Sequence, residues 1–313
     1  MIESKYSTRI QSDSKLDARY LEDFPIALVA LFNAVQTSSD DFEQIEPWYT
    51  LSHALALKFF RHLSTVQHLC MPRVDATTGD TIVDHSSVVS VSRAAYETFL
   101  IFSHIFGPED KQLRRLRFAL WNRAGLMERA KYAEPRTTEQ KAQLSEEQAT
   151  IRELSKEIDG SILANSHYSP DELKRMNKGD WSGVNKIRDL AKQAGLHEEH
   201  FQTIYKHSSG HAHTNYISAL QVTQARDLGT QRSLATPALG TCLTLLSYFI
   251  LIFCKMSVKA TNSLEKNEKA KKVVDRWNLQ PEDWMLAKEA LNEKPKPTWI
   301  DLVRGRGNPI HRI

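Results

Sequence analysis

Apolar residues recur at helical spacing through almost the whole chain, as in Leu51, Leu55, Phe59 and 62–66, and no long Val/Ile/Thr/Tyr run with period two interrupts them. This pattern predicts an all-α fold, a multi-helix bundle. Helices are expected near 23–36, 47–70, 86–106, 109–133, 138–158, 170–177, 183–194, 198–211, 214–227, 238–260, 264–276 and 282–292. Gly79 marks a turn after the second of these, and Gly107-Pro108 ends the third, because proline cannot continue the hydrogen-bond ladder. In Ser169-Pro170-Asp171-Glu172 the serine can cap, the proline fits the first helical position and the glutamate reaches back to the cap, so a helix starts there.

Three divisions follow from composition. Residues 1–20 are polar and read as a flexible N-terminal segment. Residues 21–262 carry the helical core, with a central apolar helix at about 86–106 and a projecting charged hairpin at about 109–158, whose Leu144, Ile151, Leu154 and Ile158 fall at heptad-like offsets. Residues 263–313 read as short helices and a Pro-, Gly- and Arg-rich basic tail suited to a protein partner. With 313 residues, 41% hydrophobic, the chain can bury its core without a disulfide or structural metal. Three unpatterned cysteines suit a reducing compartment, and the opening segment has no apolar stretch of a secretory signal, so a cytoplasmic location is expected. Residues 233–254 hold 22 residues without a charge, long enough to span a bilayer. Pro237, Gly240 and several hydroxyl residues dilute them, so a buried core helix is the preferred reading and a membrane span the alternative.

Chemistry-bearing residues concentrate in two places. In the apolar segment 86–106, Ser90, Arg93, Glu97 and His104 line one helical face. An Arg93–Glu97 pair partly buried there is either an internal salt bridge fixing helix register or an anion-binding Arg beside an orienting carboxylate. Five of the 12 histidines lie in 197–213. On a helix, His200, His207 and His211 share one face and Tyr205, Ser209 and His213 another, provided Gly210 does not break it; the second face is expected to turn inward. Histidine transfers protons near neutral pH, and Tyr or Ser can donate to a phosphate oxygen. His207 and His211 have the i, i+4 spacing of metal ligands, but no HExxH is present, so a metal site is the weaker reading and none is expected.

Residues 111–136 hold eight Lys/Arg against Glu128 and Glu134, so Arg114, Arg115, Arg117 and Arg123 are expected on a phosphate-binding or merely solvated face. The net charge of +3 adds no argument for nucleic acid. No GxxxxGK[ST], GxGxxG after a strand, GxSxG or CxxC occurs, which excludes phosphate-loop hydrolysis, dinucleotide redox chemistry and serine-hydrolase chemistry, and no cofactor is expected.

The segments SRAAYETFLIF, RRLRFALWNRAGLMERAKY and DWSGVNKIRDLAKQAG leading to YKHSSGHAH resemble the bacterial family termed domain of unknown function 5677, over roughly 47–255. That family pairs R-x-x-x-E with a later Y-x-x-x-S-x-x-x-H. The resemblance implies a helical fold and puts Arg93, Glu97, Tyr205, Ser209 and His213 at the motif positions. A weaker likeness is to the HEPN ribonucleases, all-α dimers of prokaryotic defence and toxin–antitoxin systems, through Arg61 with His68 and through Arg306 with His311. Two functions are expected to compete. One is a metal-independent endoribonuclease of a phage-defence or toxin system, with RNA as partner. The other is a non-catalytic helical scaffold or regulator, forming a homo-oligomer or holding a protein partner through its tail.

Overall fold

The computed structural model describes residues 3–38, 47–132, 134–183, 187–280 and Asp283, and it is all-α apart from one two-residue hairpin. In chain order, α1 (Glu3–Ser38) and α2 (Pro47–Cys70) lead into β1 (Arg73–Val74) and β2 (Thr81–Ile82), paired antiparallel around Gly79 at φ 76°. Helix α3 (His85–Phe106) follows, capped by Asp84, whose carboxylate accepts from the Ser87 N–H at 3.0 Å. Then come α4 (Lys111–Tyr132), α5 (Thr138–Asp159), α6 (Ile162–His167), α7 (Pro170–Met176), α8 (Ile187–Gln193), α9 (Glu198–Ala212), α10 (Tyr216–Gln224), α11 (Leu228–Met256), α12 (Val258–Glu265) and α13 (Glu268–Trp277).

Helices α2, α3 and α11 pack through aromatic rings that are wholly buried. Phe249 stacks on Phe102 with centroids 3.9 Å apart and on Phe59 at 4.4 Å. Each such ring removes a large apolar surface from water and adds a specific ring geometry. Helix α11 is long and apolar enough to cross a membrane, with a mean hydropathy of 1.9, yet 72% of that apolar stretch is buried within the fold, as in a core helix. It begins at Leu228, ten residues before the expected start. Asp227 caps it, accepting from the Thr230 N–H at 2.8 Å, and Pro237 is carried inside the helix.

Helices α4 and α5 form the expected hairpin, with α6 and α7 closing over its base. Leu116, Leu120, Ile158, Tyr168 and Met176 form a satellite core there. The cap and capping box expected at Ser169 are present, and a second capping box at Thr137 starts α5.

Two expected boundaries move. Helix α1 is a single element from Glu3, so the segment expected to be flexible is helical from its third residue. The compact unit extends to Asn278 rather than ending near 262, because buried Asp23 accepts from Trp277 Nε1 at 2.8 Å and pairs with Arg276, docking α13 on α1. Residues Leu279–Ile313 are a second unit, of which Leu279, Gln280 and Asp283 are described. The helix expected at 282–292 and the basic tail lie outside the described residues.

Candidate active site

Helix α9 docks on α3 through aromatic contacts. Tyr96, 3% exposed, lies parallel to Phe201 with centroids 5.9 Å apart and tilts against Tyr205 at 5.7 Å. This packing brings the two polar motifs together. Arg93 Nε donates to Glu97 Oε1 at 3.0 Å, Nη2 to Tyr205 Oη at 3.3 Å, and Nη1 to Ser209 Oγ at 3.3 Å. Nη1 also lies 3.1 Å from His213 Nε2, and a guanidinium can only donate in such a contact. The guanidinium carbon sits 5.1 Å from the Tyr205 ring centroid. The other four residues expected at one centre, Glu97, Tyr205, Ser209 and His213, therefore surround the Arg93 guanidinium.

Exposure grades outward across this group. The Arg93 side chain is 18% exposed and that of Glu97 41%, while His213 is open to solvent. Burial pulls the Arg93 value down, but hydrogen bonds to Glu97 and Tyr205 outweigh it and hold the guanidinium more firmly charged than usual. Burial, and then the Glu97 carboxylate, raise the Tyr205 phenol above its ordinary value. Tyr205 is thus a proton donor at neutral pH.

His213 is positioned by the end of α9. The Asn215 N–H donates to Gly210 O at 2.9 Å and the Thr214 N–H to His211 O at 3.3 Å, with Thr214 left-handed at φ 51°, which is a Schellman ending. Gly210 stays helical, and a Cβ there would come within 2.4 Å of Asn215 Nδ2. The absence of a side chain lets Asn215 fold back and cap α10, where its Oδ1 accepts from the Ser218 N–H at 2.9 Å.

The inward-facing histidine is His211, not His213. His211 is 7% exposed, with Nδ1 3.3 Å from Ser86 Oγ and Nε2 2.8 Å from Gln221 Oε1. The buried side of α9 is set by Phe201, Ser208 and His211, which puts Tyr205, Ser209 and His213 along the flank of the α3 contact. His207 tilts against His211 at 4.9 Å, the pair that i, i+4 spacing already put on one face, and His85 meets His211 edge-on at 6.4 Å, a third ring that the sequence spacing gave no hint of. Burial, then the neighbouring His211, lower the values of both His85 and His207. Among the described residues, no three His, Cys, Asp or Glu side chains are grouped to hold a metal ion. The side chain of His200 lies outside the described ones.

The basic face of α4 is smaller than its sequence suggests. Arg123 is 2% exposed and donates to Met176 O at 3.0 Å beneath α7, so it cannot meet a phosphate. Arg117 is half-buried and donates to His104 O at 2.8 Å, and Arg114 to Glu109 O at 3.1 Å; Arg115 is exposed. Arg61 and His68 are exposed on α2, seven residues and thus about 10 Å apart along the axis, and neither belongs to the group around Arg93. Arg306 and His311 lie outside the described residues. Tyr96 and Asn215, which position the group, were missed; the i+3 spacing of Tyr96 from Arg93 was the available signal for the first.

A family model, described as a family of unknown function, DUF5677, matches residues 49–230. The chain belongs to the DUF5677 family. The match contains both polar motifs, from Arg93 to His213, and stops at the start of α11, short of the expected limit at 255. No curated protein and no solved structure shows a significant match. The likeness to HEPN ribonucleases rests on the Arg–His spacings alone.

Proposed function

We propose that this DUF5677 protein is a metal-independent endoribonuclease acting inside the cell, with Arg93, Glu97, Tyr205, Ser209 and His213 as its centre. One observation carries this reading: the firmly charged Arg93 and the exposed His213 share an atom-to-atom contact of 3.1 Å, so a phosphate on the guanidinium lies within reach of the imidazole. In the reaction, His213 Nε2 takes the proton of a ribose 2′-hydroxyl as its oxygen bonds to phosphorus. Arg93 Nη1, with Ser209 Oγ, balances the negative charge that grows on the phosphoryl oxygens. Tyr205 gives its proton to the departing 5′-oxygen as the P–O bond breaks, leaving a 2′,3′-cyclic phosphate and a 5′-hydroxyl, and solvent returns the two protons to their resting places. Glu97 keeps Arg93 and Tyr205 in position.

The competing reading, a scaffold whose polar network is structural, draws on the same geometry, since Nε, Nη1 and Nη2 of Arg93 are already engaged. Incubating the full chain with mixed RNA and a chelator separates the two. The nuclease reading expects cyclic-phosphate ends, a rate lowered by roughly 10²–10⁴-fold in His213→Ala, and an unchanged melting curve for that variant. RNA left intact by the wild type, or cleaved equally by His213→Ala, rejects it.

A further inference from the structure

On the other flank of α9, against α3 and α11, is a cavity of about 270 Å³. Val89, Tyr96, Ile204, Leu234, Pro237 and Ala238 give it apolar walls, and the exposed residues Thr203, His207 and Pro237 open it to solvent. Its serine and threonine hydroxyls donate within their own helices. Ser92 donates to Val88 O, Thr203 to Glu199 O, Ser208 to Tyr205 O and Thr241 to Pro237 O, each within its own helix. A nucleobase placed here would bury ring nitrogens and exocyclic groups with few partners, which is unfavourable. A hydrocarbon would not.

The charge on the lining has one sign. Arg93 and His207 are its basic side chains and, among the described residues, no carboxylate lines it. The volume falls just under the ~300–1,000 Å³ of drug-sized sites and is not quite twice the ~150 Å³ that admits benzene in an engineered core. We propose that this cavity binds a small carboxylate with a hydrocarbon body, one ring on a short chain or a chain of about six to eight carbons, with its anionic end toward Arg93. Because Arg93 also centres the polar group, the occupant would compete with any anion bound there. The proposal does not depend on RNA cleavage, since binding is read directly.

The test titrates 3-phenylpropionate and octanoate into the full chain, beside 3-phenylpropanol and 1-octanol as uncharged matches and adenosine monophosphate as the nucleotide arm. Thermal shift and ligand-observed NMR give the readout. The expected result is saturable binding of a carboxylate at least about tenfold tighter than its alcohol, an affinity difference that one charged contact accounts for. Binding should be lost in Ala238→Phe, which fills the cavity, and kept in Arg115→Ala, on the exposed face of α4. Should Ala238→Phe fail to fold, Val89→Phe fills the cavity from α3, and the carboxylate–alcohol comparison needs no variant. No saturable binding, equal binding of acid and alcohol, or preference for the nucleotide overturns the proposal; the last result would reassign the cavity to a substrate base.

Discussion

Tyr205 Oη donates to Glu97 Oε1 at 3.1 Å, and the same oxygen takes Arg93 Nε at 3.0 Å, so one carboxylate oxygen joins a phenol and a guanidinium 112 residues apart in sequence. Two cationic or neutral donors on one acceptor hold the acceptor in place, and through it the angle between α3 and α9. The relationship makes Tyr205 a reporter for Glu97.

The Tyr205 phenol is raised above 10.0, first by burial and then by the Glu97 charge. A raised folded value means that its contribution to stability is complete below the unfolded value near 10.0 and lost as pH rises through the folded one. Phenolate absorbance, taken as the difference between wild type and Tyr205→Phe, should show Tyr205 ionising above pH 10.0. In Glu97→Gln the ionisation should move to lower pH but stay raised, because burial remains. An unchanged titration in Glu97→Gln would mean that the two groups are not coupled.

His104 makes an acid-side prediction. It is 3% exposed, its Nδ1 lies 2.9 Å from Gln193 Oε1, and its Nε2 is buried without a partner. Burial, followed by the nearby Arg117 charge, lowers its value to about 4 from 6.5. With a depressed folded value, the neutral ring's contribution is present above pH 6.5 and lost as pH falls through about 4. The shift corresponds to roughly 3 kcal/mol. Urea melts at pH 7.5 and 4.5 should show wild type losing more stability than His104→Asn, which keeps a donor for Gln193 and does not titrate. Equal losses in both proteins would remove His104 from the acid response.

Thr214 offers a prediction at the edge of the polar group. A β-branched residue at φ 51° is strained, and the Schellman ending normally uses glycine at this place. Thr214→Gly should therefore stabilise the fold by roughly 0.5–1 kcal/mol, the relief of left-handed strain less the backbone freedom that glycine adds in the unfolded chain. If the proposed centre is catalytic, the same change should leave Arg93 unaltered but loosen His213, lowering RNA cleavage while raising the melting temperature. A lower melting temperature would show that the Thr214 side chain stabilises what its backbone strains.

What could be read in advance followed from helical periodicity. Arg93 with Glu97, and Tyr205 with Ser209 and His213, are i, i+4 sets, and each set shares a face on any helix, so their alignment needed no knowledge of packing. That the two sets meet came from docking through Tyr96 and Phe201, for which a sequence has no coordinate. The choice between His211 and His213 as the buried ring was misread for the same reason: spacing defines faces, and the neighbouring helix decides which is covered. Helix α11 starts ten residues before the expected position because the Asp227 cap decides it and the helix carries Pro237 inside.

Arg123 shows how far tertiary packing overrules a charge pattern, and it separates basic residues that stabilise from those that could touch RNA. It is buried on α4 with its guanidinium against Met176 O, its Nε buried and unpaired and burial lowering its value. Met176 O also accepts from the Gly179 N–H at 3.0 Å, so it keeps a partner if the arginine is removed. Arg123→Met preserves most of the volume and strands no acceptor; it should be neutral or stabilising, as when a poorly paired buried charge gives way to an apolar chain of similar size. Arg123→Ala leaves a cavity instead and should lose roughly 2–4 kcal/mol. Neither should alter the salt dependence of RNA binding, whereas Arg115→Ala, on the exposed face, should reduce its slope if α4 contacts phosphate. Denaturant melts of the two Arg123 variants, set beside binding of all three over a salt series, decide the matter. A weaker salt slope in Arg123→Met would require the buried guanidinium to swing out to solvent on binding.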